Sequence, residues 1–151
     1  STNVLSHLSA RDAMRSEFVE VAPGDALIPV LSRFVDNPGE TVFVVDEGRR
    51  FRGVITIDDV RPVLTEPEAV APLVIAADMM RERGFPVFSP DDGLDDVMRR
   101  FGGFRFQAPV LENGLLIGTV WPHDVIECYN AEIVKRDMAS SMAMPKKPRK
   151  V

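Results

Sequence analysis

The sequence predicts a mixed α/β fold built from two pseudo-symmetric β-α-β-β-α units packed sheet to sheet. Three observations carry this prediction. One stretch of the chain occurs twice: residues 12–64 overlay residues 78–129. Within each copy, short apolar runs that suit strands alternate with an apolar pattern at helical spacing. A unit of about 60 residues is marginal alone, whereas two that share a buried face are not.

The repeat shows as matched residues in matched order. Asp12 and Met14 fall on Asp78 and Met80, a spacing of 66. Pro23, Asp25, Leu27 and Phe34 fall on Pro90, Asp92, Leu94 and Phe101, a spacing of 67. Val45, Gly53, Asp59 and Val60 fall on Val110, Gly118, Asp124 and Val125, a spacing of 65. This period exceeds the ~20–50 residues of stacked solenoid repeats and fits a small module present twice.

In the first copy, residues 18–21 alternate apolar and polar and suit a short strand. Pro23-Gly24-Asp25 is a turn, with Asp25 the expected helix N-cap. Leu27, Val30, Leu31 and Phe34 recur at helical spacing, and Asn37-Pro38-Gly39 ends that helix. Residues 41–45 are a buried strand and 51–57 its hairpin partner across a polar turn. Residues 60–64 begin a second helix. In the second copy the strand falls at 86–88, and Asp91 or Asp92 caps a helix through Phe101. Residues 109–111 and 115–120 flank the Glu112-Asn113-Gly114 turn. His123-Asp124 opens a final helix reaching about Met138. The expected organisation is a first motif over 8–66, a linker over 67–76, a second motif over 77–138 and a disordered basic tail over 139–151.

Composition narrows the function. The 151 residues are 45% hydrophobic and 27% charged, an ordinary globular balance. One cysteine excludes an intrachain disulfide and fits a reducing compartment. The net charge of −5 argues against a general nucleic-acid-binding surface. Residues 145–151 (PKKPRKV) hold four positive charges; without them, 14 basic residues face 23 acidic ones, a net of about −9. That tail reads as a solvated segment, as a contact for anionic lipid, or as a run resembling a nuclear-targeting signal. No run approaches the ~20 apolar residues of a membrane span, and residues 1–11 lack the pattern of a signal peptide.

The chemically informative string is Gly53-Val-Ile-Thr-Ile-Asp-Asp59, echoed by Gly118-Thr-Val-Trp-Pro-His-Asp124. A strand runs directly into a helix start, whose first N–H groups have no intrahelical partner and attract anions. Thr56 can add a hydroxyl to a phosphate there. Asp59 suits a ribose, whose vicinal hydroxyls can both donate to one carboxylate. The competing reading is structural: Thr56 caps the helix and Asp59 stabilises its first turn. Asp58-Asp59 and Asp91-Asp92 fit helix starts better than a glycosidase pair. No Walker-type loop is present. His7 and His123 lie near no cysteine, so no metal site is expected. Cys128 reads as a semi-buried apolar contact.

The duplicated unit and the string G-[hydrophobic]-[hydrophobic]-[S/T]-x-x-D resemble a tandem pair of CBS domains, a Bateman module. The resemblance covers about residues 8–130. Residues 53–62 (GVITIDDVRP), 73–80 (LVIAADMM) and 125–136 (VIECYNAEIVKR) resemble the cytoplasmic C-terminal pair of bacterial CLC-type chloride channels and transporters. The resemblance implies a non-enzymatic regulatory module with no obligatory cofactor, whose regulatory ligand is ATP, ADP or AMP bound in clefts between the copies. Carried over, Thr56 and Asp59 face Val87, Ala108 and Pro109 in a first cleft. Asp124 and His123 meet Val19, Phe43 and Val44 in a second. Trp121 stands where the first copy has Thr56, so the second cleft lacks that hydroxyl, and Trp121 either stacks on a base or fills the space.

The resemblance also implies a homodimer through the CBS helices, expected around Val30, Phe34, Val97 and Phe101, and a membrane channel domain as partner. The implied location is the cytoplasmic side of the bacterial inner membrane. The alternatives are a ligand-free dimerisation module and the regulatory pair of another parent, such as a metal-ion transporter.

Overall fold

A computed structural model describes residues 4–65 and 71–143. The basic run at 145–151 and part of the expected linker lie outside the described residues. The first half holds a three-stranded sheet in the order β1-β2-β3, with β1 (Val19–Val21), β2 (Val42–Val45) and β3 (Phe51–Ile55). β1 runs parallel to β2, and β2 and β3 form an antiparallel hairpin. Helix α3 (Leu27–Asp36) crosses from β1 to β2, and α4 (Ile57–Leu64) follows β3. The second half repeats the hairpin as β4 (Ala108–Glu112) and β5 (Leu115–Val120), preceded by α6 (Leu94–Phe101) and followed by α7 (Pro122–Ala143).

Four sequence expectations need correction. The expected strand at 86–88 is a single bridge: Phe88 pairs in parallel with Val110, through Phe88 N to Pro109 O and Leu111 N to Phe88 O. Pro86 and Pro90 flank it and have no N–H with which to extend a ladder. Asp25 does not cap α3, whose N-cap is Ala26. Its carboxylate instead accepts the Ala22 N–H at 3.0 Å, closing the preceding turn. Asp92 does the same for Ser89 N at 2.8 Å, while Gly93 is the N-cap of α6. Finally, α7 continues past Met138 to Ala143.

The register also shifts one repeat pairing. Val44 lies opposite Gly53 and Val110 opposite Gly118, so Val44, not Val45, is the counterpart of Val110. The change of spacing therefore falls in the hairpin turn. The first turn spans 46–50, whereas the second is tight, with Asn113 and Gly114 at φ 54° and 79°. A one-residue slip exchanges the two faces of a strand. Here it decides that Val42 and Val44 enter the first half's own core, while Phe43 and Val45 face the second half.

Each half is completed by an arm from the other end of the repeat. Helices α1 (Val4–His7) and α2 (Ala10–Ala13) pack on the second half, where fully buried Ala10 joins Phe88, Leu94, Val97, Phe101 and Val110. Backbone bonds run from Leu94 N to Leu8 O (2.9 Å) and from Ala10 N to Asp92 O (2.8 Å). The segment with α5 (Ala76–Met79) packs on the first half, where Ala76 and Met79 join Val21, Val30, Val44 and Ile55. Ala76 N donates to Asp25 O at 2.8 Å. Both arms end in the same way: Arg15 exchanges backbone bonds with Thr119, and Arg81 with Val54. Each arm also begins alike, with a carboxylate three residues on (Asp12, Asp78) accepting the N–H of Ser9 or Ile75.

A third core joins the halves. Phe43, Val45, Val54 and Leu116 are buried there, with Phe18, Phe51, Phe85 and Leu111 packed around them. Phe18 meets Phe43 edge-on, and Phe51 meets Phe85 in the same way. A buried polar contact lies alongside: the Thr41 hydroxyl donates to Gln107 O at 2.9 Å. The helix faces expected to form a dimer are consumed internally. Val30 and Val97 are fully buried, and Phe34 and Phe101 nearly so, because they fill the two half cores. Exposed apolar positions lie elsewhere, among them Ile28 and Val35 on α3 and Val134, Met138 and Met142 on α7.

Candidate functional site

The chemistry concentrates where β3 and β5 each run into a helix. Thr56 is the N-cap of α4 and Asp59 its third residue. Asp59 Oδ2 accepts both the Thr56 N–H (2.8 Å) and the Thr56 hydroxyl (3.0 Å). Thr56 is fully buried, so its hydroxyl is committed to the cap and is closed to a phosphate. Asp59 keeps Oδ1 for an outside partner. That oxygen lies 2.9 Å from Arg81 Nε, whose N–H is not aligned into a hydrogen bond. The contact is a charge pair by distance without the directional bond. The Arg81 guanidinium also sits over the Phe104 ring, 5.9 Å from its centroid.

The second site repeats the plan with different chemistry. Asp124 Oδ2 accepts the Trp121 N–H at 3.0 Å, with no hydroxyl beside it. Arg15 holds Asp124 through Nη2 to Oδ1 at 2.7 Å and through Nε to both oxygens at 3.1 and 3.2 Å. The hydrogen bond that Arg15 donates to Asp124 holds its guanidinium above the ordinary pKa, against the opposing effect of burial. His123 Nε2 lies 3.3 Å from Arg15 Nη2, and its ring stacks on Trp121 at 5.4 Å. Trp121 therefore packs on His123.

The glycine opening each string has a steric reason. A Cβ on Gly53 would lie 2.6 Å from the Arg81 carbonyl, and one on Gly118 would lie 2.7 Å from Met14 Sδ and 3.0 Å from Arg15 O. Each arm crosses its strand at that point, and only a missing side chain permits the approach.

Three clefts lined by described residues lie near these sites. The first, about 640 Å³, is lined by Phe85, Val87, Arg100 and Phe104 among others, and Arg81 links it to Asp59 through Phe104. Arg100 is tied down by Val87 O, Asp92 and Asp96. Arg83 and Arg105 are exposed on the same two segments. Beside the second site lies a cleft of about 430 Å³ lined by Arg15, Glu17 and Glu40. A smaller one of about 260 Å³ holds Val19 with Glu17, Asn37 and Glu40. The linings differ: aromatic groups and Arg100 at the first cleft, Glu17 and Glu40 with Arg15 at the second.

Of the residues expected to bind ligand, Thr56, Asp59, Asp124 and His123 cluster at the two helix starts, and Val87 and Val19 line clefts. Val44 and Ala108 point into the cores of their own halves, and Phe43 into the core between them. Pro109 is buried, and its carbonyl accepts from Phe88 N. The side chains of Phe43, Val44 and Ala108 are buried in these cores, which leaves only the strand backbone at those positions to meet a ligand. Arg15 and Arg81 were missed. Their signal was present, since each follows a matched methionine (Met14-Arg15 and Met80-Arg81), but nothing in sequence spacing says which carboxylate an arm will reach.

Cys128 is partly buried against the second core. Burial pushes its thiol above the ordinary value, and the charges of Asp12 and Glu132 add to this. Alkylation by iodoacetamide at about pH 8 should therefore run several-fold slower than for free cysteine. A rate equal to free cysteine would show that the helix exposes it.

No group of acidic, histidine and cysteine residues among the described residues could hold a metal ion. No helix of the described chain is long and apolar enough to cross a membrane. No curated protein sequence matches the chain. Among solved structures, a CBS domain-containing protein of unknown function from Bacillus anthracis is 16% identical, with a TM-score of 0.74 over 85% of this chain and 96% of its own. CBSX2 in complex with AMP is 22% identical, with a TM-score of 0.70 over 85% of this chain and 99% of its own. The CBS domain of a bacterial CNNM/CorC family Mg2+ transporter in complex with ATP is 19% identical, with a TM-score of 0.70 over 83% and 89%. The CBS domain family model matches residues 10–66. Residues 10–66 are thus similar to a CBS domain, and the chain as a whole has the fold of CBS-domain proteins.

Proposed function

We propose that the chain is a regulatory module that takes an adenosine nucleotide in the first cleft and transmits its occupancy to an attached parent protein. One observation carries the reading: Asp59 keeps one carboxylate oxygen that accepts no directed hydrogen bond and is paired only by charge with Arg81, near a cleft lined by aromatic groups and Arg100, whereas Asp124 is hydrogen-bonded on both oxygens beside a cleft that holds Glu17 and Glu40. A ribose diol would donate to Asp59, a base would lie against Phe104 or Phe85, and phosphates would favour Arg83 and Arg105. At the second site, Glu17 and Glu40 would repel them. CBS domains are regulatory, non-catalytic modules, and two structures of this fold were solved with AMP and with ATP.

The mechanism is linkage: a ligand that prefers one arrangement of the two halves shifts whatever is coupled to that arrangement. The strings at 53–62, 73–80 and 125–136 favour a CLC-type chloride channel or transporter as parent, which would place the module on the cytoplasmic face of a bacterial inner membrane. A homodimer would then use the exposed apolar positions of α3 and α7 in place of the buried ones. A ligand-free structural module is the second reading, favoured by the internal partners that Thr56 and Arg81 already supply to Asp59.

Calorimetry with ATP, ADP, AMP and S-adenosylmethionine tests the proposal. Asp59→Ala should weaken nucleotide binding about 10- to 100-fold, the worth of hydrogen bonds to a charged acceptor. Asp124→Ala should have little effect. The reverse order would place the ligand in the second cleft. No heat and no shift in melting temperature with any ligand at millimolar concentration would leave the structural reading standing.

A further inference from the structure

We propose that Arg81 is a built-in occupant of the space between Asp59 and Phe104 at the edge of the first cleft, and that a nucleoside binds there only by displacing it. This rests on the nucleotide reading above and adds a residue that sets the affinity of that site. The Arg81 guanidinium touches both groups a nucleoside would use. Its Nε lies 2.9 Å from Asp59 Oδ1, and its Cζ lies 5.9 Å from the centre of the Phe104 ring. Asp59 Oδ2 is already taken twice by Thr56, so Oδ1 is the oxygen a diol must reach. A flat cation over an aromatic ring and against a carboxylate occupies the same pair of surfaces as a base and its ribose.

The side chain can leave without the backbone moving. Arg81 N donates to Val54 O at 2.8 Å and Val54 N to Arg81 O at 3.0 Å, which anchors the arm whatever the guanidinium does. The grip on Asp59 is also weak in kind. The Nε–H makes no directed hydrogen bond, and the side chain is 35% exposed. Arg15 at the second site is more exposed, at 48%, yet it makes three contacts to Asp124 and a fourth to His123. The first latch is thus releasable and the second is not. Apparent affinity is the intrinsic affinity reduced by the unlatched fraction. Removing the latch therefore tightens binding, although it deletes a positive charge near an anionic ligand.

Isothermal titration of the 151-residue chain with adenosine and with ATP tests this, using wild type, Arg81→Ala and Arg81→Gln. Adenosine has no phosphate and should bind both variants about three- to tenfold more tightly than wild type. ATP should gain less, because the displaced guanidinium becomes available to its phosphates. Arg81→Gln retains the aliphatic stem and serves should Arg81→Ala fail to fold. Adenosine affinity in the variants equal to or below that of wild type would overturn the latch while leaving the nucleotide reading intact. Absence of binding by all three proteins would overturn the nucleotide reading itself, and the latch with it.

Discussion

Ala10→Asp is expected to destabilise the second half of the molecule before the first, although residue 10 belongs to the first repeat. Ala10 is fully buried among Phe88, Leu94, Val97 and Val110. A carboxylate placed there has no cationic partner in that core and meets only apolar side chains. An unpaired buried charge belongs to the small class of substitutions that exceed about 4 kcal/mol. For a chain of this size that lowers the melting temperature by about 8–16 °C. Hydrogen exchange reads the location: amides of α6, β4 and β5 should lose protection ahead of those of β1–β3. Ala76→Asp should show the mirror pattern, since Ala76 is fully buried in the first core. Loss of protection confined to the repeat that holds the substitution would contradict the exchange of arms.

Gly53→Ala is the second large effect expected. The added Cβ would sit 2.6 Å from the Arg81 carbonyl and 3.2 Å from the Met80 side chain. The carbonyl is a backbone atom held by its bond from Val54, so β3 or the arm must shift. Overpacking of this kind costs about 1–3 kcal/mol. Gly118→Ala should be milder, because its nearest neighbour is Met14 Sδ at 2.7 Å, the flexible end of a side chain. Gly24→Ala is the control, with no heavy atom within 4 Å. Denaturation midpoints should fall in the order Gly24→Ala, Gly118→Ala, Gly53→Ala, from least to most destabilised. Equal midpoints for all three would mean that the arms do not cross their strands so closely.

Both predictions concern contacts between residues far apart in sequence, and they mark where sequence reading succeeds and stops. The hairpins were legible because strand patterns are local. The Glu112-Asn113-Gly114 turn announces itself, and residues 115–120 form β5 as expected. The helix at Leu27 was legible because its apolar spacing is set by 3.6-residue periodicity. The single bridge at Phe88 was not, because the number of ladder bonds depends on how two prolines sit against β4. The register of β2 was missed by one residue for a related reason. Overlaid sequences place an insertion only approximately, whereas a sheet requires Val44 and Val110 each to face a glycine.

The candidate site divides in the same way. Thr56 and Asp59 were found because a capping box lies within four residues, and both the capping and the binding reading follow from that spacing. Which reading holds depends on what reaches the free oxygen of Asp59. That group is Arg81, 22 residues on, and its counterpart Arg15 lies 109 residues from Asp124. The contrast between a cleft lined by aromatic groups and Arg100 and one that holds Glu17 and Glu40 is likewise invisible along the chain, where Phe104 and Arg81 are far apart and the overall charge is −5.

From the sequence alone it followed that one small α/β unit occurs twice, that each copy has a carboxylate at a strand-to-helix junction (Asp59 and Asp124), and that these two sites are unequal. These are local facts, decided by backbone geometry and side-chain periodicity within a few residues. Only the tertiary structure decided that each half borrows its arm from the other end of the repeat, and that an arginine on each arm meets the carboxylate of the other copy. The physical reason is that neither half core closes without Ala10 or Ala76, and both arms reach those cores only by crossing a glycine in a strand.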